Sequence, residues 1–126
     1  MKDKDKLISG IIVGAGGLLA GKVIKDAISK SYIDTFLRSC SDFEKYAKKN
    51  LKERKIIIAF NSTFNDLLLK LNTYKILNQN EIGILYQIRD MRNKVVHGNH
   101  DALSKYTSDK YCRSLKMINT KLKTNL

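Results

Sequence analysis

The residues best suited to chemistry lie in one short segment, IRDMRNKVVHG at positions 88–98. It contains His97, one of only two histidines in the chain, together with the basic residues Arg89, Arg92 and Lys94. An imidazole transfers protons near neutral pH, and a guanidinium binds carboxylate or phosphate groups through paired hydrogen bonds. The segment is therefore the candidate site for acid–base chemistry on an anionic substrate.

The spacing of Arg92 and His97 limits how the two side chains can act together. Five residues along an ideal helix correspond to a rotation of about 140°, so the pair diverges within one straight helix. Two arrangements would bring the groups together. Either the helix frays at Gly98 and turns the imidazole, or a second copy packs antiparallel across a twofold axis and joins both Arg-His pairs in one cleft.

The same residues also fit a purely structural interpretation. Basic side chains in the last turn of a helix interact favourably with the negative end of its dipole. A glycine such as Gly98 is a common residue just beyond a helix end. Because R-x-x-x-x-H is a short pattern that often arises by chance, residue types and spacing alone leave both interpretations open.

The segment Arg92–His97 resembles the R-x(4 to 6)-H signature of HEPN domains. Asn93 follows the arginine directly, where ribonuclease members of that family typically carry a polar residue. The longer family pattern L-R-x-x-R-N-x-x-x-H-G is close to IRDMRNKVVHG. HEPN domains are bundles of four or five helices with this motif near the C-terminal end of a late helix, and the resemblance covers roughly residues 28–124.

The resemblance implies a homodimer that cuts RNA without a metal ion or cofactor, the ribose 2′-hydroxyl attacking the neighbouring phosphate. It implies that His97 acts as general base or acid, and that Arg92 holds the scissile phosphate and stabilises the extra charge of the transition state. Asn93 would orient the histidine or the phosphate. Arg89 and Lys94 would grip flanking phosphates.

Many HEPN ribonucleases act as toxins or in abortive infection against phage, often restrained by a partner protein. The resemblance therefore predicts a toxin or antiviral defence effector with RNA as substrate and an antitoxin or regulatory protein as partner. The alternative is a non-catalytic HEPN-like module that binds nucleotides or proteins. A further alternative is a membrane-perturbing, holin-like protein.

The elements around the candidate site predict an all-α fold. From Lys25 onward the chain has no proline and only two glycines, and apolar residues recur with helical period. Helices are predicted at 28–48, at 53–72 with one apolar stripe, at about 78–97, and at about 108–122. The stripe of the second predicted helix consists of Ile57, Phe60, Phe64, Leu67, Leu68 and Leu71.

The predicted third helix has the clearest signals at its ends. Asn78 is placed as N-cap, Glu81 returns the hydrogen bond of a capping box, and Leu77 with Ile82 forms a hydrophobic staple. Gly98 then supplies a left-handed stop. The last helix is expected to bury Tyr111, Leu115, Ile118 and Leu122, so that four helices close around one core.

Residues 7–24 differ from everything after them. They are uncharged apart from Lys22, and four glycines at spacings of four, three and four fall on one helical face. The segment barely reaches the length of a membrane span, so a membrane anchor is predicted, with a helix packed against protein or a signal-like segment as alternatives. The chain is thus divided into this segment, 1–24, and a HEPN-like domain, 25–126, placed in the cytoplasm and anchored to the inner face of the membrane.

The chain is strongly basic, with 24 Lys and Arg against 12 Asp and Glu and a net charge of +12. Such an excess attracts phosphate polymers or anionic lipid surfaces. No metal site is predicted, because Cys40 and Cys112 lie far apart without zinc-ligand spacing, and His100 beside Asp101 is interpreted as a solvated loop pair.

Overall fold

The computed structural model describes the backbone of residues 17–124 and the side chains of residues 31–124. The side chains from Tyr32 onward belong to one compact unit. Within residues 17–124 the structure contains four α-helices and one short 3-10 helix, and no strand, which confirms the all-α prediction. The helices are α1 (Gly17–Glu53), α2 (Phe64–Thr73), α3 (Gln79–Val96) and α4 (Lys105–Thr124), with the 3-10 turn at His100–Ala102 between the last two.

The predicted membrane anchor at 7–24 lies outside the residues whose side chains are described. None of the described helices combines the length and apolar character that a membrane crossing needs. The helix that was predicted at 28–48 is longer in the structure, because α1 begins at Gly17 and ends at Glu53. α1 therefore includes residues 17–24 of the glycine-rich segment.

One prediction was wrong. No single helix covers residues 53–72, because α1 ends at Glu53, the chain runs in extended and turn conformation to Thr63, and α2 begins only at Phe64. Ile57 is 88% exposed and Phe60 is 93% exposed, so neither joins the core stripe assigned to them. The other four members of that stripe, which all lie in α2, are buried: Phe64, Leu67, Leu68 and Leu71.

The physical reason for this break is a left-handed residue that is not glycine. Lys55 has φ 64°, and two hydrogen bonds close the end of α1, from Lys55 N–H to Lys52 O at 2.9 Å and from Ile56 N–H to Leu51 O at 2.9 Å. These two bonds form a Schellman motif. The left-handed residue of such a motif is usually glycine, because a side chain makes the left-handed conformation unfavourable. Since lysine carries no turn signal, the helical spacing of apolar residues concealed the end of the helix.

A start signal for α2 was present in the sequence. Thr63 accepts a hydrogen bond from the Asp66 N–H at 3.2 Å, and its own N–H donates to Asp66 Oδ2 at 2.9 Å, which together form a capping box. The hydrogen bond from the Thr63 backbone N–H, and to a smaller extent that from the Thr63 hydroxyl, lowers the pKa of Asp66. The spacing Thr-x-x-Asp therefore marks residue 63 as the helix entry.

The predicted ends of α3 are confirmed. Asn78 accepts from the Glu81 N–H at 2.8 Å, and its N–H donates to the Glu81 carboxylate at 2.8 Å. Leu77 and Ile82 are both buried, as a hydrophobic staple requires. Gly98 has φ 93°, and the Asn99 N–H donates to Lys94 O at 2.9 Å, which makes another Schellman motif.

The helix directions follow from side-chain bonds. Ser108 Oγ donates to Tyr32 O at 3.0 Å, while Asn50 Nδ2 donates to Leu122 O at 2.8 Å, so α4 runs parallel to α1. Lys121 pairs with Glu81 at 2.8 Å, which sets the start of α3 beside the end of α4. α3 is therefore antiparallel to both. The predicted core residues of α4 are buried: Tyr111, Leu115, Ile118 and Leu122.

Replacing the two glycines by alanine should change stability in opposite directions. Gly83 lies inside α3 with open space around it, so Gly83→Ala should raise the free energy of unfolding by about 0.5–1 kcal/mol. Gly98→Ala places a side chain in the left-handed region and should lower it by about 1–2 kcal/mol. Urea unfolding followed by circular dichroism at 222 nm measures both, and shifts of the same sign would contradict this account.

Candidate active site

The predicted site residues lie in the C-terminal half of α3 and differ in exposure. Arg89 and Arg92 are half-buried, whereas Asn93, Lys94 and His97 are exposed. His97 is the C-cap of α3, with its N–H donating to Asn93 O at 3.0 Å. The imidazole thus stands at the open end of the helix, with no side-chain hydrogen bond among the described residues.

Arg92 is held at the junction of three helices. Its Nη2 lies 3.3 Å from Glu44 Oε2 on α1, and its guanidinium carbon lies 5.7 Å from the centre of the Phe64 ring on α2. The two charged side chains are 32% and 22% exposed. Glu44 Oε2 is buried and receives no hydrogen bond, so the ion pair is a close charge contact without hydrogen-bond geometry. The arginine neutralises this carboxylate.

Arg89 is fixed more tightly than Arg92. Its Nη1 donates to Asn65 Oδ1 at 2.6 Å across the α2–α3 interface, and its Nη2 donates to Asp90 Oδ1 at 2.7 Å. The guanidinium also lies 5.0 Å from the Tyr86 ring centre. With several donors engaged by protein, Arg89 offers an incoming phosphate fewer free donors than Lys94 does.

One face of α3 remains open to solvent beside Arg92. Arg89, Asn93 and Val96 follow one another at helical spacings of four and three, so they share this face. Val96 is an apolar residue that is 59% exposed there. Since α3 stays helical to Val96, Arg92 and His97 still diverge by about 140°. The single chain does not bring them together.

Three residues that contact or surround Arg92 were not found by sequence reasoning. Glu44 and Phe64 touch it from other helices, and Cys40 lies one turn before Glu44 in the core. Burial raises the pKa of Cys40 to about 12, although the positive charge of Arg92 works in the opposite direction. Their spacing in the chain gives no signal, because only the packing of α1 against α2 and α3 brings them together.

The histidines form no metal cluster in the described part of the chain. His97 and His100 are both exposed, and no group of three or more His, Cys, Asp or Glu side chains lies together within residues 31–124. What this site offers is therefore one partly neutralised guanidinium, an amide, an ammonium and an imidazole, all near the end of one helix.

Comparisons with known proteins find no family model, no curated protein and no solved structure that matches this chain.

The buried thiol of Cys40 should make the folded chain less stable at alkaline pH. Because burial raises the pKa of Cys40 to about 12, the thiol ionises more readily in the unfolded chain. Its contribution is complete below the pKa of the unfolded thiol and is lost as the pH rises from there toward about 12. Urea unfolding at a series of pH values above about 8 should therefore show a steeper loss of stability for the wild type than for Cys40→Ala.

The matched control is Cys112→Ala, which removes a half-buried thiol. It should keep the steep alkaline loss that Cys40→Ala flattens. A slope that is equal in the wild type and Cys40→Ala would show that the thiol does not ionise on unfolding in this range.

Proposed function

We propose that this chain is a metal-independent endoribonuclease of HEPN type that acts as a homodimer. The observation that carries the proposal is the open face of α3, where Asn93 and His97 are exposed and Arg92 is held at the edge by Glu44. These are the residues in which the sequence resembles the HEPN ribonuclease motif. The net charge of +12 supports an RNA substrate.

The proposed reaction is an internal transfer at a phosphodiester. His97 removes the proton of a ribose 2′-hydroxyl, and that oxygen attacks the adjacent phosphorus. The bond from phosphorus to the 5′-oxygen of the next nucleotide breaks, leaving a 2′,3′-cyclic phosphate. The departing 5′-oxygen takes up a proton from water, so one His97 and one Arg92 suffice for each cut.

Arg92 stabilises the negative charge that develops on the phosphate oxygens. In the resting chain its charge is shared with Glu44, so a bound phosphate must compete with that carboxylate. Glu44 Oε2 takes no hydrogen bond from Arg92 and carries one negative charge against two on the transition state, so the guanidinium keeps donors for the phosphate. Asn93 orients the phosphate or the imidazole, and Lys94 provides an exposed contact to a flanking phosphate.

A dimer with antiparallel α3 helices follows from the same face. Two copies related by a twofold axis would bury Val96 against its symmetry mate and place His97 of one copy toward the arginines of the other. This arrangement solves the divergence of Arg92 and His97 along one helix. Burial of an exposed valine in the seam favours association.

The biological role that we propose is that of a toxin or abortive-infection effector in antiviral defence. RNA is the target and a separate regulatory or antitoxin protein restrains the activity. The glycine-rich, largely apolar segment 7–24 would hold the enzyme at the inner face of a membrane, with the helical domain in the cytoplasm. These parts of the proposal rest on the HEPN resemblance and on the sequence of the segment.

A second candidate is a non-catalytic module that binds nucleotides or proteins. The observation that favours it is the engagement of Arg92 by Glu44 and Phe64, which gives the arginine a structural reason to be present. Under this alternative the open face of α3 binds a partner without cutting it. The two candidates make different predictions for RNA integrity.

Purified protein in EDTA should cut a mixed RNA pool and leave 2′,3′-cyclic phosphate ends. His97→Ala should lower the rate by at least about 10²-fold through loss of proton transfer, and Arg92→Ala by a similar factor through loss of charge stabilisation. The ends can be identified by enzymatic phosphatase treatment and mass spectrometry.

His100→Ala is the matched control, since His100 is also exposed and lies three residues beyond His97. It should cut at the wild-type rate. Intact RNA with folded, partner-free protein would overturn the nuclease proposal and favour the binding module. Equal losses in His97→Ala and His100→Ala would show that the effect is not specific to the motif.

The dimer should depend on Val96. Val96→Asp introduces a charge into the proposed seam and should convert the dimer to a monomer in analytical ultracentrifugation, with loss of cleavage. Met117→Asp, at a site on α4 that is 75% exposed, should leave the dimer intact.

If Arg92 and His97 act across the interface, mixing inactive Arg92→Ala with inactive His97→Ala should recover part of the activity, because some mixed dimers hold one intact pair.

A further inference from the structure

The chain between α1 and α2 forms one wall of a surface groove. Residues 54–63 turn back along α1, and their extended part lies beside a row of lysines. The groove has a volume of about 660 Å³. We call it the lysine groove, and its lining residues are Lys45, Lys48, Lys49 and Lys52 on α1 with Ile56–Phe60 on the opposite side.

The positive charge of the groove is not neutralised by the chain. The four lysines follow one another at spacings of three, one and three, so they occupy one face of α1. Within the described residues none of them forms an ion pair, and only Lys45 lies near an aromatic ring, 5.9 Å from the centre of Tyr46. No carboxylate lines the groove. It is therefore complementary to an anionic ligand.

The opposite wall exposes apolar surface that the fold does not use. Ile56 and Ile58 pack against the core, while Ile57 is 88% and Phe60 is 93% exposed. Exposed aromatic rings beside a basic groove are the usual platform on which the bases of single-stranded nucleic acid stack. In a duplex the bases are already stacked within the helix, so a protruding ring favours a single strand.

The residues of the groove lie next in sequence to residues of the candidate active site. Glu44 and Phe64, the two contacts of Arg92, stand directly before Lys45 and one residue after Thr63 respectively. One end of the lysine row and the end of the extended segment are thus joined along the chain to the two residues that contact the guanidinium. An anionic polymer that follows the lysines is led toward Arg92. A lipid surface would use the exposed Ile57 and Phe60 but would not account for this continuity.

We propose that the lysine groove binds single-stranded RNA, with Phe60 stacking on a base and the lysines contacting phosphates along the strand. The groove proposal rests on the proposed function in one respect, the direction of the bound RNA strand, which runs toward Arg92. Binding itself needs no cleavage. It can therefore be measured whether or not the chain is a nuclease.

The chain contains no tryptophan, so a single indole can report on the groove alone. The test uses the full-length chain with Phe60→Trp and His97→Ala, which removes cutting. Titration with an oligouridylate of about 12 nucleotides should quench the indole fluorescence in a saturable manner. The matched control is Met117→Trp with His97→Ala, at an exposed position on α4, which should not respond.

The lysines are tested through the salt dependence of binding. Each phosphate contact contributes about 0.7 to the slope of log affinity against log salt for a single strand. Lys48→Gln with Lys52→Gln should therefore reduce that slope by about 1.4. Lys110→Gln with Lys116→Gln removes the same charge from exposed positions on α4 and should change the slope much less.

Two results would overturn this proposal. In the first, the fluorescence anisotropy of labelled RNA shows binding, but the indole of Phe60→Trp is not quenched. RNA then binds elsewhere, even if the wild type cuts RNA. A blue shift with anionic vesicles and no response to RNA would assign the groove to a lipid surface. Quenching by RNA together with an inactive wild type would instead support the groove and overturn the nuclease.

Discussion

The buried stripe of α1 is the constraint on which the rest of the structure depends. Its members are all fully buried: Phe36, Cys40, Phe43, Ala47 and Leu51. Phe43 meets Phe64 of α2 with ring centres 4.9 Å apart, and Phe36 meets Tyr111 of α4 at 6.1 Å. Because the surrounding helices pack against this one apolar stripe, their positions relative to α1 are fixed. The polar residues along the borders of the stripe therefore have fixed neighbours. Glu44 reaches Arg92 for this reason.

The sequence predicts those parts of the fold that have local signals. The capping box at Asn78 and the left-handed Gly98 define α3 to within a residue, and the apolar spacing of α4 identifies its buried side. The extended segment after α1 was not predicted, because Lys55 adopts a left-handed conformation without a glycine. Ile57 and Phe60 then continued a helical period by chance. Local pattern cannot distinguish a true apolar stripe from an exposed one when the helix end carries no signal.

The candidate site, like the fold, is predictable from the sequence only where local signals exist. His97 as an exposed residue at a helix end follows from Gly98, which the sequence contains. The restraint on Arg92 does not follow, since Glu44 and Phe64 lie on other helices and reach it only through tertiary packing. The half-neutralised guanidinium is thus a property of the fold. It means that the residue with the strongest charge in the motif is also part of the framework, so chemistry and stability are coupled at this position.

The parallel arrangement of α1 and α4 has a consequence for the order of folding. α2 and α3 form a local hairpin, joined near its turn by a bond from Gln79 to Asn72 at 3.0 Å, and can assemble with little loss of chain entropy. The seam between α1 and α4 joins residues far apart in sequence, such as Asn50 and Leu122, and closes a long loop. During synthesis the core around Glu44 and Arg92 therefore stays incomplete until α4 has left the ribosome.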